Sequence, residues 1–316
     1  MDMKATRDGY GDALVELGKK DKRVVVLTAD LKESTRVEEF AKLFPERFIE
    51  CGVAEQNMMG IAAGLATAGK IPFVSSYAVF SPGRNWDQLR VAVCYSNLPV
   101  KVVGAHTGLS VGPDGATHQA LEDIAITRVL PNMTVIVPCD YFETKKSVEA
   151  SVNINGPVYI RFGREKTPMM TDEKSGFEIG KAEIIFDEGK DAVIIGCGPI
   201  LYQALQAAQI LKAEGIGVKV INNHTIKPID RETLVTSAKE CGAVVTAEEH
   251  QVTGGMGSAV AELFAKEYPI PMEFVGMPDS FGESGKPEEL AEKYGLMAGD
   301  IVKAVKKVLT RKAPIT

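Results

Sequence analysis

Long hydrophobic runs are absent from the sequence, whose longest apolar stretches, such as residues 192–196, are short. A helix that crosses a bilayer needs ~20 apolar residues, so we expect no membrane-spanning segment. The first residues also lack the continuous apolar segment of a secretory signal. Basic residues are not in excess, because 36 Lys and Arg stand against 42 Asp and Glu, which gives a net charge of −6. We therefore expect neither nucleic acid nor a membrane surface as a partner.

Paired cysteines are absent as well. The five cysteines lie 43, 45, 58 and 44 residues apart along the chain, and none belongs to a Cys-x-x-Cys pair. Such an odd and scattered set fits neither a disulfide framework nor a zinc site. The sequence therefore predicts free, buried thiols in a reducing compartment, and a cytoplasmic location.

What the sequence does contain is 316 residues, of which 45% are hydrophobic and 25% are charged. This globular composition, at ~150 residues per domain, predicts about two domains. β-Branched runs alternate with helical patterns in two blocks, so we expect an α/β fold with two consecutive domains, each a mostly parallel sheet flanked by helices. The predicted first domain is 1–165, and a linker with a short hairpin covers 166–190. The second domain is predicted at 191–316.

The individual strands and helices are predicted from hydrophobic periodicity. Strands are predicted at 24–28, 72–76, 100–105, 134–138, 158–162, 191–198, 218–222, 243–248 and 272–276. Helices are predicted at 8–20, 35–44, 52–69, 83–95, 199–214, 257–267, 288–295 and 299–310.

Three stretches are more polar or richer in glycine than a plain scaffold needs. In the first, Glu55 lies in the first turn of the otherwise apolar helix predicted at 52–69. A carboxylate there favours the positive end of the helix, a contribution of about 0.3–1 kcal/mol to stability. The alternative is a buried carboxylate that takes part in proton transfer. The sequence alone leaves both interpretations open.

The second stretch, residues 104–119, follows a predicted strand and contains His106, Asp114 and His118. Its four glycines and its proline interrupt any helix or strand, which predicts a loop. Loops at the carboxyl ends of parallel strands form the ligand crevice of open α/β sheets. The spacing matches no standard metal-ligand pattern. The loop is either a site of acid–base chemistry or one stabilised by its own side-chain hydrogen bonds.

The third stretch, residues 248–258, is a glycine-rich turn that opens a helix. Its backbone N–H groups could bind an anion. The same residues also suit any tight strand-to-helix turn, and two acidic residues precede it, so we favour a structural role.

The three stretches, taken together and in this order, resemble a known enzyme family, and the resemblance extends over essentially the whole chain. The sequence resembles the C-terminal half of a transketolase, a thiamine-diphosphate enzyme. Its first domain is similar to the pyrimidine-binding domain, and its second to the transketolase C-terminal domain. The N-terminal domain of transketolases, which holds the diphosphate and its metal, carries a Gly-Asp-Gly signature that this sequence lacks. The chain therefore looks like the C-terminal subunit of a split, two-chain transketolase.

The resemblance implies roles for residues near the cofactor. Glu55 matches the glutamate that binds the aminopyrimidine and assists formation of the cofactor ylide, which requires a carboxyl group that holds or shares a proton. Phe80 matches the aromatic residue that stacks on the pyrimidine, although residues 81–83 lack the further aromatics that the family often has. Asp30 matches an aspartate near the cofactor and the dimer contact.

The resemblance also implies roles in the substrate channel. Asp114 would contact a hydroxyl group of the donor sugar. His118 would lie near the developing alkoxide or the C1 hydroxyl, and His106 at the channel wall near the donor carbonyl.

The sugar phosphate would be bound at the channel mouth by Arg7, Ser34 and Arg164. Two guanidinium groups and a hydroxyl suit a phosphate terminus. Arg161 competes with Arg164 for this role.

The implied activity is transfer of a two-carbon ketol unit between a ketose phosphate and an aldose phosphate. The chain would share thiamine diphosphate with an N-terminal transketolase subunit. That partner would hold the Mg²⁺ or Ca²⁺, so no metal ligand is assigned in this chain. The implied assembly is a homodimer of this chain or a heterotetramer with the partner.

Three alternatives stay open. The chain could be half of a 1-deoxyxylulose-5-phosphate synthase, which shares the Asp-Gly-x-Thr-His-Gln string but is normally one longer chain. It could be the β subunit of a 2-oxo-acid dehydrogenase decarboxylase, whose corresponding loop typically lacks that string. It could also be a non-catalytic partner built on the same fold, although stability alone does not require this set of polar residues.

Overall fold

The structure is a computed structural model that describes residues 2–312. Its strands are β1 (Met3–Ala5), β2 (Val24–Thr28), β3 (Phe48–Glu50), β4 (Ile71–Tyr77), β5 (Lys101–Ala105), β6 (Thr134–Ile136), β7 (Val158–Arg161), β8 (Lys166–Pro168), β9 (Glu183–Asp187), β10 (Ala192–Gly196), β11 (Val218–Asn222), β12 (Thr225–Lys227), β13 (Val244–Gln251) and β14 (Met272–Met277). Its α-helices are α1 (Thr6–Lys20), α2 (Glu38–Leu43), α3 (Glu55–Thr67), α4 (Trp86–Gln88), α5 (Asp123–Arg128), α6 (Tyr141–Ser151), α7 (Leu201–Ala213), α8 (Arg231–Cys241), α9 (Met256–Glu267), α10 (Pro287–Lys293) and α11 (Ala298–Leu309).

The first sheet has seven strands in the order β12-β6-β7-β5-β4-β2-β3. All neighbours in it are parallel except β12 and β6. The strands β2, β4 and β5 are buried along their whole length, as expected for a parallel sheet covered on both faces. Parallel strands end at the same edge, so the loops after β4 and β5 are neighbours.

The second sheet has five strands in the order β14-β13-β10-β11-β9. Only β9 runs antiparallel to its neighbour β11. Two parallel-rich sheets flanked by helices confirm the predicted fold class.

The two halves of the chain are joined by more than the linker. Strand β12 follows the second sheet's β11 in sequence, yet it pairs antiparallel with β6 at the edge of the first sheet. Apolar residues from both halves also form one continuous core, which includes Val135, Val137, Ile195 and Ile226. This shared core holds the two sheets together.

The predicted hairpin in the linker is wrong. Strand β8 pairs with β1 near the start of the chain, and β9 adds to the second sheet beside β11. Each short strand therefore extends a distant part of the chain, a partnership that local sequence does not encode.

Several helices differ from the periodicity predictions. The helix predicted at 83–95 consists of the short α4 followed by a π-helix over Leu89–Tyr95. Helices α5, α6 and α8 were not predicted. The starts of α6 and α8 carry local signals all the same, since the N-cap carboxylates Asp140 and Asp230 accept hydrogen bonds from the backbone N–H groups of Glu143 and Thr233.

None of the helices in the part of the chain that the structure describes is both long and apolar enough to cross a membrane.

Candidate active site

An aromatic cluster lies where β4 and β5 end side by side, with Tyr77 opposite Ala105 in the sheet register. The Tyr77 ring stacks on His106 with 3.9 Å between ring centroids, and it lies 5.9 Å from Phe80 in a nearly parallel orientation. The His118 ring meets Phe80 edge-on at 5.5 Å. The structure thus brings together the predicted site residues Phe80, His106 and His118. Tyr77, the last residue of β4, completes the cluster. Sequence reasoning missed Tyr77, although an aromatic residue three positions before Phe80 was a signal that could have found it.

His106 is buried, and its backbone has the unusual positive φ of 54°. Burial, followed by the nearby positive charges of Arg7 and Arg164, lowers the pKa of His106 to about 3. The imidazole is therefore neutral at physiological pH. Its Nδ1 atom has no hydrogen-bond partner among residues 2–312. Because buried polar groups are nearly always hydrogen-bonded, this nitrogen is suited to contact a ligand.

The loop that carries His118 and Asp114 contains a 3₁₀ turn over Leu109–Asp114. The loop is anchored to the second half of the chain, because the Ser110 N–H donates to the Glu249 carboxylate at 2.6 Å. The Nδ1 atom of His118 lies 2.9 Å from the hydroxyl oxygen of Thr117. Both halves of the chain therefore fix the loop.

Arg7, Ser34 and Arg164 lie beside this loop. The Arg7 Nη1 atom donates to the Ser34 carbonyl oxygen at 3.3 Å, whereas Arg7 Nε is buried without a partner in the described chain. The Arg164 guanidinium donates to the Val111 carbonyl at 3.2 Å and lies 3.5 Å from the Asp114 carboxylate. The structure therefore places Arg164 next to Asp114 and leaves an unused donor on Arg7.

Sequence reasoning missed a third guanidinium near this group. Arg36 has a positive φ of 63°, and its Nε atom lies 2.8 Å from the Asp8 carboxylate. Its charge is among those that lower the pKa values of Arg7 and His106, after the larger effect of burial. Nothing in its local sequence marks it, because its placement depends on the turn after Ser34.

Arg161 and Arg164 have different surroundings. The Arg161 side chain is only 3% exposed, and its Nε atom lies 2.8 Å from the Asp123 carboxylate. It also donates to the Glu249 carbonyl oxygen at 2.8 Å, and Asp123 accepts a second hydrogen bond from the Tyr159 hydroxyl at 2.6 Å. The Arg161 guanidinium is therefore occupied by partners inside the fold, whereas about a third of the Arg164 side chain is exposed.

Glu55 is the first residue of α3 and is buried at 4% exposure. Its carboxylate accepts a hydrogen bond from Arg84 Nη1 at 2.9 Å, and the same guanidinium lies 4.0 Å from the centroid of the Phe80 ring. The Asn85 amide donates to the Glu55 carbonyl oxygen at 3.1 Å. Glu55 and Arg84 line an open depression of about 510 Å³ together with residues 53, 54, 56 and 57.

In the glycine-rich turn at 248–258, a carboxylate of this chain occupies the backbone N–H groups that an anion would need. The Glu248 carboxylate accepts hydrogen bonds from the N–H groups of Met256 and Gly257 at 2.7 and 2.8 Å, at the start of α9. A Cβ atom at Gly255 would lie only 2.2 Å from this carboxylate. Burial raises the pKa of Glu248 to about 7. The geometry supports the structural interpretation of this turn over an anion site.

Comparison with known proteins identifies the family. Residues 2–170 match the transketolase pyrimidine binding domain, and residues 180–301 match the transketolase C-terminal domain. The chain belongs to the transketolase family.

Two relatives are similar to this transketolase chain over nearly their whole length. A protein described as a transketolase C-terminal section, from Methanocaldococcus jannaschii, is 48% identical over 96% of this chain and 95% of its own. The 6-deoxy-6-sulfo-D-fructose transketolase subunit SqwH of Clostridium sp. strain MSTE9 is 44% identical over 97% of this chain and 95% of its own.

A solved structure agrees with these relatives. The structure named split gene transketolase, inactive beta4 tetramer, matches with a TM-score of 0.92 and 53% identity, and covers 98% of this chain and 99% of that one. The predicted resemblance to the C-terminal subunit of a split transketolase is thereby confirmed.

Transketolases depend on thiamine diphosphate, and the residues present fit one end of that cofactor. Glu55 offers a buried carboxylate, and Phe80 beside it offers an aromatic ring, which are the contacts that a planar aminopyrimidine needs. For the diphosphate end, residues 2–312 contain no group of three His, Cys, Asp or Glu side chains that could hold a metal ion.

The contacts of Asp30 are with residues outside the aromatic cluster. It is exposed with a positive φ of 61°, and its N–H donates to the Glu50 carboxylate at 2.8 Å. Glu50 also accepts from the Gly52 N–H at 3.0 Å, so Asp30 neighbours the turn that leads to Glu55. Its role in this transketolase chain stays a prediction.

Proposed function

We propose that this chain is the catalytic C-terminal subunit of a two-chain transketolase, which transfers a two-carbon ketol unit from a ketose phosphate to an aldose phosphate. The observation that carries the proposal is the single cluster formed by Phe80, His106 and His118 at the ends of β4 and β5. The Glu55–Arg84 pair borders this cluster on one side through the Phe80 ring. Residues 1–165 supply this site, and residues 191–316, joined by the linker 166–190, support its loop.

Glu55 and Phe80 hold the pyrimidine ring of thiamine diphosphate. When bound, this cofactor would supply a nucleophilic carbon for ketol transfer. Glu55 holds or shares a proton with the ring edge, while Phe80 stacks on the ring face. Burial of Glu55 keeps water from competing for that proton. Asp30, next to the turn that precedes Glu55, belongs to the contact with a second chain.

The histidines and Asp114 act on the donor sugar. His106 is a neutral group at the channel wall, and its buried Nδ1 is positioned for a hydrogen bond to the donor carbonyl. His118 bonds the Thr117 hydroxyl through Nδ1, which leaves Nε2 to exchange a proton with the C1 hydroxyl or the alkoxide. Asp114, on the same loop, accepts a hydrogen bond from a sugar hydroxyl.

Arg7 and Arg164, with Ser34, bind the anionic terminus of the sugar. The unused Nε of Arg7 and the partly exposed guanidinium of Arg164 supply charged donors. Arg161 is excluded from this role by its buried pair with Asp123. The SqwH relative is named for a sulfonated sugar, and a sulfonate offers these donors the same tetrahedral oxygens as a phosphate. The terminal anion of this chain's substrate is therefore of this tetrahedral class, with phosphate as the proposed case.

A separate N-terminal subunit supplies the diphosphate site and its Mg²⁺ or Ca²⁺. The names of the relatives, one a C-terminal section and another a subunit, support this division. We propose a homodimer of this chain that becomes a heterotetramer with two N-terminal subunits.

The test is reconstitution from purified chains. Ketol transfer from xylulose 5-phosphate to ribose 5-phosphate is measured for this chain, for the N-terminal subunit and for their mixture, each with thiamine diphosphate and Mg²⁺. We expect activity in the mixture only, and its loss with Glu55→Gln. Robust transfer by this chain alone, or none from a mixture that forms a stable complex, would contradict the proposal.

A further inference from the structure

Arg84 makes both of the contacts that the proposed function assigns to the cofactor's pyrimidine ring. Its Nη1 atom donates to the Glu55 carboxylate at 2.9 Å. Its guanidinium carbon lies 4.0 Å from the Phe80 ring centroid, a distance that places it over the ring face. A guanidinium is planar, carries N–H donors at its edge and stacks on aromatic rings. It therefore satisfies a carboxylate and an aromatic face in the way that an aminopyrimidine would.

The backbone and the side chain of Arg84 differ in how firmly they are held. The Arg84 N–H donates to the Phe80 carbonyl at 2.9 Å, and its own carbonyl accepts from the Gln56 amide at 3.3 Å. The side chain, by contrast, is 49% exposed, whereas Glu55 is buried. The fixed backbone holds the guanidinium within reach of Glu55, and the exposed side chain has room to leave.

We propose that Arg84 is a placeholder, which occupies the pyrimidine position in the cofactor-free chain and is displaced when thiamine diphosphate binds. This inference rests on the proposed function of Glu55 and Phe80. The hydrogen bond from Arg84 pairs the buried Glu55 carboxylate, so it stabilises the chain modestly before the chain meets its cofactor. The same pair must break on binding, which weakens the affinity for the cofactor.

The experiment measures equilibrium binding of thiamine diphosphate to the complex with the N-terminal subunit, by calorimetry in the presence of Ca²⁺. The variants are Arg84→Ala, Glu55→Gln and Phe80→Ala. Arg231→Ala is the matched control, because it removes an arginine that pairs with Glu267 at 2.6 Å on the surface. A half-exposed ion pair contributes modestly, so we expect Arg84→Ala to bind the cofactor about threefold to tenfold more tightly than the natural chain. Glu55→Gln and Phe80→Ala should bind it more weakly.

A second measurement, the unfolding temperature, shows whether the Arg84 variant is folded. The unfolding temperature of Arg84→Ala should be lower than that of the natural complex without cofactor, and the cofactor should raise it by a larger amount. Arg84→Lys keeps the charge but loses the planar stack, so its affinity should lie between those of the natural chain and Arg84→Ala.

The outcomes separate the two proposals. If Glu55→Gln and Phe80→Ala weaken binding while Arg84→Ala leaves it unchanged or weaker, the placeholder inference is wrong and the proposed function stands. If Glu55→Gln and Phe80→Ala bind the cofactor as tightly as the natural chain, the proposed function of these residues fails, and the placeholder inference fails with it.

Discussion

Replacing Arg164 with alanine should weaken recognition of the substrate's anionic terminus and spare the chemical step. A charge-assisted hydrogen bond contributes about 1.5–3 kcal/mol. Because a third of the Arg164 side chain is exposed, solvent screening favours the lower part of that range. A loss of roughly 1.5–2 kcal/mol corresponds to an increase in KM of about 10- to 30-fold.

The assay compares two donors in the reconstituted complex. With xylulose 5-phosphate, KM should rise in Arg164→Ala and in Arg7→Ala, whereas kcat should change little. With hydroxypyruvate, which lacks a phosphate group, both constants should stay near those of the natural complex. Arg164 lies only 3.5 Å from Asp114, so free xylulose, which lacks the phosphate but keeps the sugar hydroxyls, controls for any disturbance of that carboxylate. Equal losses with both donors would refute the phosphate role and assign these arginines to the fold or the cofactor site.

Two further predictions concern stability. Asp123→Ala should lower the free energy of unfolding by about 3–5 kcal/mol in urea titrations, because it leaves the buried Arg161 without its charge partner; a loss below ~1 kcal/mol would show that the pair is dispensable. Burial lowers the pKa of His250 to about 4 from about 6.5, so the unfolded chain binds more protons between these values, and stability should fall as the pH drops from 6.5 towards 4. At pH 5 this His250 contribution amounts to about 2 kcal/mol, and the loss of unfolding free energy between pH 7.5 and pH 5 should be smaller in His250→Gln by about this amount. An unchanged difference between the two pH values would rule out His250 as the source.

The sequence could predict the site's general location because local patterns identify the strands and the loops that follow them. Short apolar runs, residues 71–74 and 102–105, lie in β4 and β5, and Phe80 and His106 follow soon after these strands. Because β4 and β5 are parallel neighbours, the residues that follow them lie at the same edge of the sheet. The aromatic cluster follows from that rule and from the glycine-rich loop that brings His118 back to it.

Other features depend on contacts between residues far apart in the sequence. Asp123 decides which of Arg161 and Arg164 faces outward. It lies 38 residues before Arg161, and its carboxylate pairs with the Arg161 guanidinium in the core. The Glu55–Arg84 pair joins α3 to the turn after β4, across 29 residues. Strand β12 is only three residues long and carries no signal that it pairs with β6. Local periodicity contains no information about such partnerships, so they became visible only in the folded chain.

The central claim is that Glu55 of this chain acts on a cofactor whose diphosphate is held by another chain. The direct measurement is the rate at which the thiazolium C2 proton of bound thiamine diphosphate exchanges with deuterium in the assembled complex. Glu262→Gln, which alters a surface carboxylate paired with Arg128, is the matched control. We predict that Glu55→Gln slows exchange by about 10²–10⁴-fold, while Glu262→Gln exchanges at the natural rate. Exchange at the natural rate in Glu55→Gln would contradict the account and leave Glu55 as a charge at a helix end.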